Sequence, residues 1–159
     1  NAVYWSTENH WKWATEPNPR EKASFLSENI RPIQESGQLK FVNRTGDFTS
    51  NVFPNIDVLF VDGHTESMMI PHIHYQQKTV VFMADLLPST GHIPLPYVMG
   101  YDTRPLLTLT EKEKFLNTAV ENNYYLFLEH DSVNEICTLQ STEKGVRLGD
   151  TCSFNELFG

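Results

Sequence analysis

The chain has 159 residues, 40 % apolar and 20 % charged, which suits one soluble globular domain with a sizeable core and excludes a disordered chain. Its formal charge of −8, with only 12 scattered Lys and Arg, argues against a nucleic-acid binder, which needs clustered basic residues, but leaves room for a cationic centre such as a metal. No apolar run approaches the ~20 residues of a membrane span, and the start N-A-V-Y-W-S-T-E-N-H lacks the features of a signal peptide, so the expected compartment is the cytoplasm.

In chain order, Ser6 is positioned to cap a short helix carrying Trp11 and Trp13. Asn18-Pro19 then opens a second helix, with an apolar stripe at Ala23, Leu26 and Ile30, which Pro32 ends. Strand patterns follow at Leu39–Val42, Asp57–Asp62, Ser67–Tyr75 and Thr79–Ala84, the last two joined as a hairpin by Gln76-Gln77-Lys78. A loop rich in Pro and Gly runs from Leu87 to Pro105. Thr110 with Glu113 then forms a capping box for a helix through Phe115, Leu116, Ala119 and Val120. Tyr124–Glu129, Ile136–Gln140 and Gly145–Leu148 complete the strands, and a short helix closes the chain at Asn155–Phe158. Helices and strands mix without strict alternation, so the class is α+β, with a mixed sheet and packed helices. The two cysteines, Cys137 and Cys152, are expected to be free, structural thiols.

Three polar residues recur at one kind of place. His64 follows the strand from Asp57, Asp85 follows the strand from Thr79, and His130 follows the strand from Tyr124. Strand ends on one rim of a sheet converge on a cleft, where a carboxylate and neutral imidazoles can share a divalent metal. Gly63 is expected to make the tight bend that aims His64 inward. Spacing alone does not choose between a shared metal and three unrelated turn residues of the kind expected at Asp62 and Asp131. His72 and His74 share one strand face, either as a metal pair or, as we expect, as a solvated surface. His92 either contacts substrate or packs, and His10 is expected on a helix surface. Asp102 and Arg104 are expected to fix the long loop by hydrogen bonds.

The segments D-G-H-T with His64, V-V-F-M-A-D with Asp85 and Y-L-F-L-E-H with His130 resemble, in order, the later metal-binding motifs of the metallo-β-lactamase superfamily. The stretch D-L-L-P-S-T-G-H-I-P-L-P-Y-V-M-G-Y-D-T-R-P and the segment N-P-R-E-K-A-S-F-L also resemble a bacterial metallo-hydrolase subgroup of it. The resemblance covers essentially the whole chain. It implies a dinuclear zinc hydrolase, with iron or manganese as other candidate ions. His64 would bind the first metal, Asp85 would bridge the two and act in catalysis, and His130 would bind the second. A metal-bound hydroxide would attack an ester, lactone, thioester or phosphoester of a small molecule. His92, Tyr97 and Tyr101 would line the substrate side, with Pro94, Leu95, Pro96 and Met99 as apolar wall.

The superfamily's early H-x-H-x-D-H motif is absent, and His72-Ile73-His74 does not replace it, because Gln76-Gln77 stand where Asp-His would be needed. Residues 1–159 are therefore expected to be the C-terminal half of an αββα sandwich, inactive alone, with no nucleic-acid or membrane partner. The face left by the other half is expected to favour a homodimer. The alternative is a non-catalytic half-domain that serves as a structural or protein-interaction module.

Overall fold

A computed structural model describes residues 2–159. A seven-stranded sheet dominates it, with strand order β3-β4-β5-β6-β7-β8-β9. These strands are β3 (Phe48–Phe53), β4 (Ile56–Val61), β5 (Met68–Tyr75), β6 (Lys78–Phe82), β7 (Tyr125–Phe127), β8 (Ile136–Thr142) and β9 (Gly145–Cys152). All neighbours pair antiparallel except β6 and β7, which run parallel. A parallel pair needs a crossover, and α3 (Pro105–Glu121) supplies it. A separate two-stranded parallel sheet joins β1 (Tyr4–Ser6) to β2 (Leu39–Phe41), with α1 (Glu8–Thr15) and α2 (Ser27–Glu35) between them. The chain closes with α4 (Phe154–Phe158), held by a capping box between Ser153 and Glu156.

The core lies between α3 and the sheet. Phe115, Leu116 and Ala119 of the helix pack with Val61, Ile70, Val81, Leu126 and Cys137 from the strands. Strand β4 is covered on both faces: Val61 belongs to that core, while Val58 and Phe60 form a smaller cluster with Val42. This explains why D-V-L-F-V reads as a continuous apolar run rather than an alternation. Cys137 and Cys152 lie on the adjacent strands β8 and β9, and both are free. No helix among the described residues is long and apolar enough to cross a membrane.

Several elements depart from the sequence reading. The cap of α1 is Thr7, whose hydroxyl accepts from the His10 amide at 3.0 Å, because Ser6 is already the last residue of β1. Asn18-Pro19 opens a set of turns rather than a helix, since Glu21 turns its carboxylate inward to the Trp13 indole and the Thr65 hydroxyl. The helix starts at Ser27, runs through Pro32 and stops before Gly37, whose φ of 73° suits glycine. Helix α3 begins at Pro105, five residues before the expected cap, and Thr110 sits inside it, bonded to the Leu106 carbonyl. Strand β3 was not expected at all. Its polar D-F-T-S-N-V-F becomes a strand by pairing with β4 around a bulge.

His72 and His74 give the clearest correction. Their shared face is not solvated as a unit: His72 is 3 % exposed and packs edge-on against Phe48, Phe115 and Tyr124. The opposite face of β5, with Ile73 and Tyr75, is the exposed one. The His72 ring is bonded at Nδ1 to the Ile70 carbonyl at 3.0 Å, and burial lowers its pKa, so a neutral imidazole fits the apolar site. His74 at the strand's exposed end pairs with Asp57 at 2.8 Å.

Gly63 is required for a different reason from the one expected. A Cβ there would collide with the backbone and hydroxyl of Thr108 in α3. Gly63→Ala is expected to destabilise the fold by roughly 1–3 kcal/mol through overpacking, read from chemical denaturation. Thr108→Ser is expected to be milder in the same measurement, because the atoms that face position 63 are the Thr108 amide nitrogen, Cα and hydroxyl, all of which serine keeps.

Candidate functional site

The strand directions bring the three polar residues together. Strands β4 and β6 both run antiparallel to β5, and β7 runs parallel to β6, so β4, β6 and β7 end on the same rim. His64, Asp85 and His130 each follow one of those ends. His64 Nε2 lies 3.3 Å from Asp85 Oδ2, and His130 Nε2 lies 3.2 Å from Asp85 Oδ1. Neither approach is well aligned for a hydrogen bond, and Asp85 Oδ1 is buried without a hydrogen-bond partner. Among the described residues, no group of three or more His, Cys, Asp or Glu side chains has the geometry to hold one metal ion.

Each residue is held by its backbone. Asp85 sits in a 3₁₀ turn, Ala84–Leu86, flanked by buried Met83, Leu86 and Leu87. Ala84 has φ 41°, a left-handed conformation that L-residues rarely adopt, and it turns the chain out of β6 into that turn. The amide of His130 donates to the Pro88 carbonyl at 3.0 Å, tying the end of β7 to the loop after Asp85. Asp131 ties the same two segments: it accepts from the amide and hydroxyl of Thr90 and from the amides of Val133 and Asn134.

The turn that carries His64 is gripped by α3 and the residues before it. Glu111 accepts from the amides of Asp62 and Gly63 at 2.7 and 3.0 Å. Arg104 donates to the Asp62 carbonyl and to Glu66, and Arg44 pairs with both oxygens of Asp62. Asp102 accepts from His64 Nδ1 at 2.9 Å, and its carboxylate is 1 % exposed. Loop fixing by Asp102 and Arg104 was expected; that Asp102 grips His64 itself was not. Neither Glu111 nor Arg44 carried any motif, since each acts across more than 15 residues of chain.

Burial pulls the His64 pKa down, but hydrogen bonds to Asp102 and Asp85 outweigh it and raise it from 6.5 to about 9. The hydrogen bond from His64 holds the Asp85 carboxyl below its ordinary range, against the opposing effect of burial. An imidazolium between two carboxylates therefore balances charge at this rim.

A cleft of about 1100 Å³ opens over these residues. Besides the three strand-end groups it is lined by His10, Arg20, Phe25, His92, Met99 and Tyr101 among others. His92 Nδ1 lies 2.8 Å from the Ser89 hydroxyl, and Tyr101 stands at the rim, 79 % exposed. Tyr97 does not line the cleft: its side chain is 60 % exposed, and its carbonyl accepts from Lys112 at 2.7 Å. Leu95 and Pro96 lie along a separate depression next to α3. Lys112 is fully buried and also donates to the carbonyls of Pro94 and Leu95, while burial pushes its pKa down to about 8. His10 is not a plain surface residue. Its Nδ1 lies 2.6 Å from the Glu66 carbonyl and its ring meets Phe25 edge-on in the cleft wall.

No protein-family model matches the chain, and no curated protein sequence matches it. Solved structures do. A probable metal-dependent hydrolase from Staphylococcus aureus superposes with a TM-score of 0.77 at 23 % identity, over 96 % of this chain and 54 % of that one. AbOPH, a hydrolase in the beta lactamase superfamily, gives 0.76 at 15 % identity, over 96 % and 56 %. The chain has the metallo-β-lactamase fold. AidC, a dizinc quorum-quenching lactonase, gives a TM-score of 0.74 at 17 % identity, over 98 % of this chain and 56 % of its own. The chain thus spans about half the length of the solved structures it matches, as expected for the C-terminal half of a metallo-β-lactamase-like sandwich.

Two outcomes test how the site is held. The Arg44 hydrogen bond keeps the Asp62 carboxyl below its ordinary range, and four N–H and O–H donors do the same for Asp131 against burial. A carboxyl whose folded pKa is lowered contributes fully above the unfolded value of about 4, and that contribution is lost as pH falls through the folded value. The denaturation midpoint is therefore expected to fall steeply below about pH 4, and Asp131→Asn to flatten that acid limb. Ala84→Gly is expected to raise stability by up to about 1 kcal/mol by relieving the left-handed strain, and Ala84→Val to lower it.

Proposed function

We propose that this chain is the C-terminal portion of a metal-dependent hydrolase, with zinc as the first candidate ion, acting on an ester-like bond of a small molecule. The observation that supports it best is the approach of a different imidazole Nε2 to each Asp85 oxygen, at 3.3 and 3.2 Å, with the buried Oδ1 left without an aligned hydrogen bond. Donors of this kind fit divalent cations: a carboxylate with one oxygen toward each of two ions, and imidazoles oriented from behind. His64 meets that second condition, because its Nδ1 faces the Asp102 carboxylate and its Nε2 faces Asp85.

In this reading His64 would help hold one ion and His130 a second, with Asp85 contributing to both. The chain then supplies only two donors to each ion, which accounts for the absence of a three-donor cluster. Alone, it is expected to hold metal weakly and to show no turnover. A bound pair of divalent ions would supply Lewis acidity and lower the pKa of bound water toward ~7. The rest falls to this chain's own residues. Asp102 holds the His64 ring in place, the buried Met83, Leu86 and Leu87 keep the Asp85 turn still, and His92, Met99 and Tyr101 wall the space beside them. AidC is a lactonase, so a lactone is the first substrate class to try.

The competing reading, a non-catalytic module, gains nothing specific from the site. A module has no use for a carboxylate clamped behind His64, or for a buried Asp85 oxygen left without a partner.

The test is a zinc titration of the chain followed by imidazole resonances in NMR. Zinc is expected to perturb His64 and His130 and to leave buried His72 unmoved, and in Asp85→Asn to perturb neither His64 nor His130. Perturbation confined to His74, or an unchanged response in Asp85→Asn, would sink the proposal.

A further inference from the structure

Arg20 stands apart among the charged groups of the cleft. The other two arginines near the His64 turn each have a carboxylate partner, Asp62 for Arg44 and Glu66 for Arg104. Arg20 has none within ion-pair distance among the described residues, in a chain of net charge −8. The acidic residue beside it is already occupied. Glu21 is buried, with one oxygen taking the Thr65 hydroxyl and the other the Trp13 indole and the Asn18 amide.

Arg20 is nevertheless fixed in place. Its Nη2 donates to the carbonyl of Gly100 at 2.6 Å and to that of Asp102 at 3.3 Å. A guanidinium has five N–H donors, so those on Nε and Nη1 of this exposed, cleft-lining side chain have no protein partner and are open to solvent or a ligand. Asp102 links Arg20 to His64. Its main-chain carbonyl takes Arg20, while its carboxylate takes His64. Arg20 and the His64–Asp85–His130 group are thereby held against one residue, in one cleft.

We propose that Arg20 binds a carboxylate carried by the substrate, in the same cleft as the bond to be cleaved. This rests on the hydrolase reading and narrows it: the substrate would be an ester or lactone bearing a second, anionic group. A carboxylate suits the site better than a phosphate, because Arg20 is the one Lys or Arg side chain in the lining. A phosphate dianion commonly needs several cations or a nest of backbone amides, whereas one guanidinium matches the single charge of a carboxylate.

The test needs neither metal nor turnover. The chain is titrated with monomethyl glutarate, which carries one ester and one carboxylate, with neutral dimethyl glutarate, and with methyl phosphate. The readout is the Arg Nε–Hε region of the NMR spectrum. Monomethyl glutarate is expected to shift the Arg20 signal saturably and to bind about tenfold tighter than the diester, the scale of one charge-assisted hydrogen bond. Arg20→Gln is expected to abolish that preference while keeping its melting temperature, and Arg20→Lys to restore part of it. Equal binding of the two esters, or an unchanged preference in Arg20→Gln, would overturn the proposal, and methyl phosphate binding as tightly as monomethyl glutarate would overturn the choice of carboxylate. If Arg20→Gln melts earlier, shifts the Gly100–Asp102 resonances and is not rescued in preference by lysine, Arg20 is only a strut for that loop and the proposal falls. Loss of the zinc response at His64 and His130 would refute the hydrolase reading without changing this titration, so the two failures are distinguishable.

Discussion

The cleft depends on the close approach of the β4–β5 turn to the first turns of α3. Glu111 satisfies two main-chain amides of that turn, and Gly63 lets the Thr108 backbone come within a distance no side chain would permit. Two further main-chain bonds, from Thr103 and Arg104 to the carbonyls of His64 and Gly63, complete the grip. Its consequence is positional. The segment just before α3 carries Asp102, and once α3 is seated that carboxylate lies behind the His64 ring. The stability of the crossover helix and the orientation of a site residue therefore rest on the same contact.

Carboxyl and imidazole side chains alternate along the rim: Asp102, His64, Asp85, His130. Two carboxylates in partly buried positions would be costly without positive charge between them, and a protonated His64 supplies it in the absence of any other cation. The same arrangement suits a divalent ion, since proton and metal compete for the Nε2 lone pair. Asp85 sits beyond a buried strand, and Ala84 accepts a strained backbone to place it there. Strain of this sort at a carboxylate with an unpartnered oxygen is more in keeping with a binding site than with a surface turn.

Elsewhere Lys112, His72 and Glu21 are buried with hydrogen-bond partners. Lys112 reaches from α3 to three carbonyls of the 94–97 segment, holding the loop whose continuation walls the cleft. His72 lies among aromatic rings with one carbonyl bond, and Glu21 gathers an indole, an amide and a hydroxyl. Lys112 and Glu21 bond to residues as far as 18 and 44 positions away, so each works as a cross-link of the kind that an apolar contact could not orient.

The sequence alone determined the long strands, the helix core at Phe115, Leu116 and Ala119, and the recurrence of His64, Asp85 and His130 after three strand ends, because hydrophobic period and turn residues are local signals. Local signals also account for the errors. The caps of α1 and α3 lie one and six positions from those the local pattern marks, β3 is invisible without its partner β4, and alternation does not say which side of β5 meets a helix. Whether three strand ends share a rim is a matter of strand direction, which the parallel β6–β7 pairing decides. Asp102, Glu111, Arg44 and Arg20 act across the chain on groups 18 to 82 residues away. No periodicity carries such information, since it exists only once distant segments have packed, and only the tertiary structure could supply it.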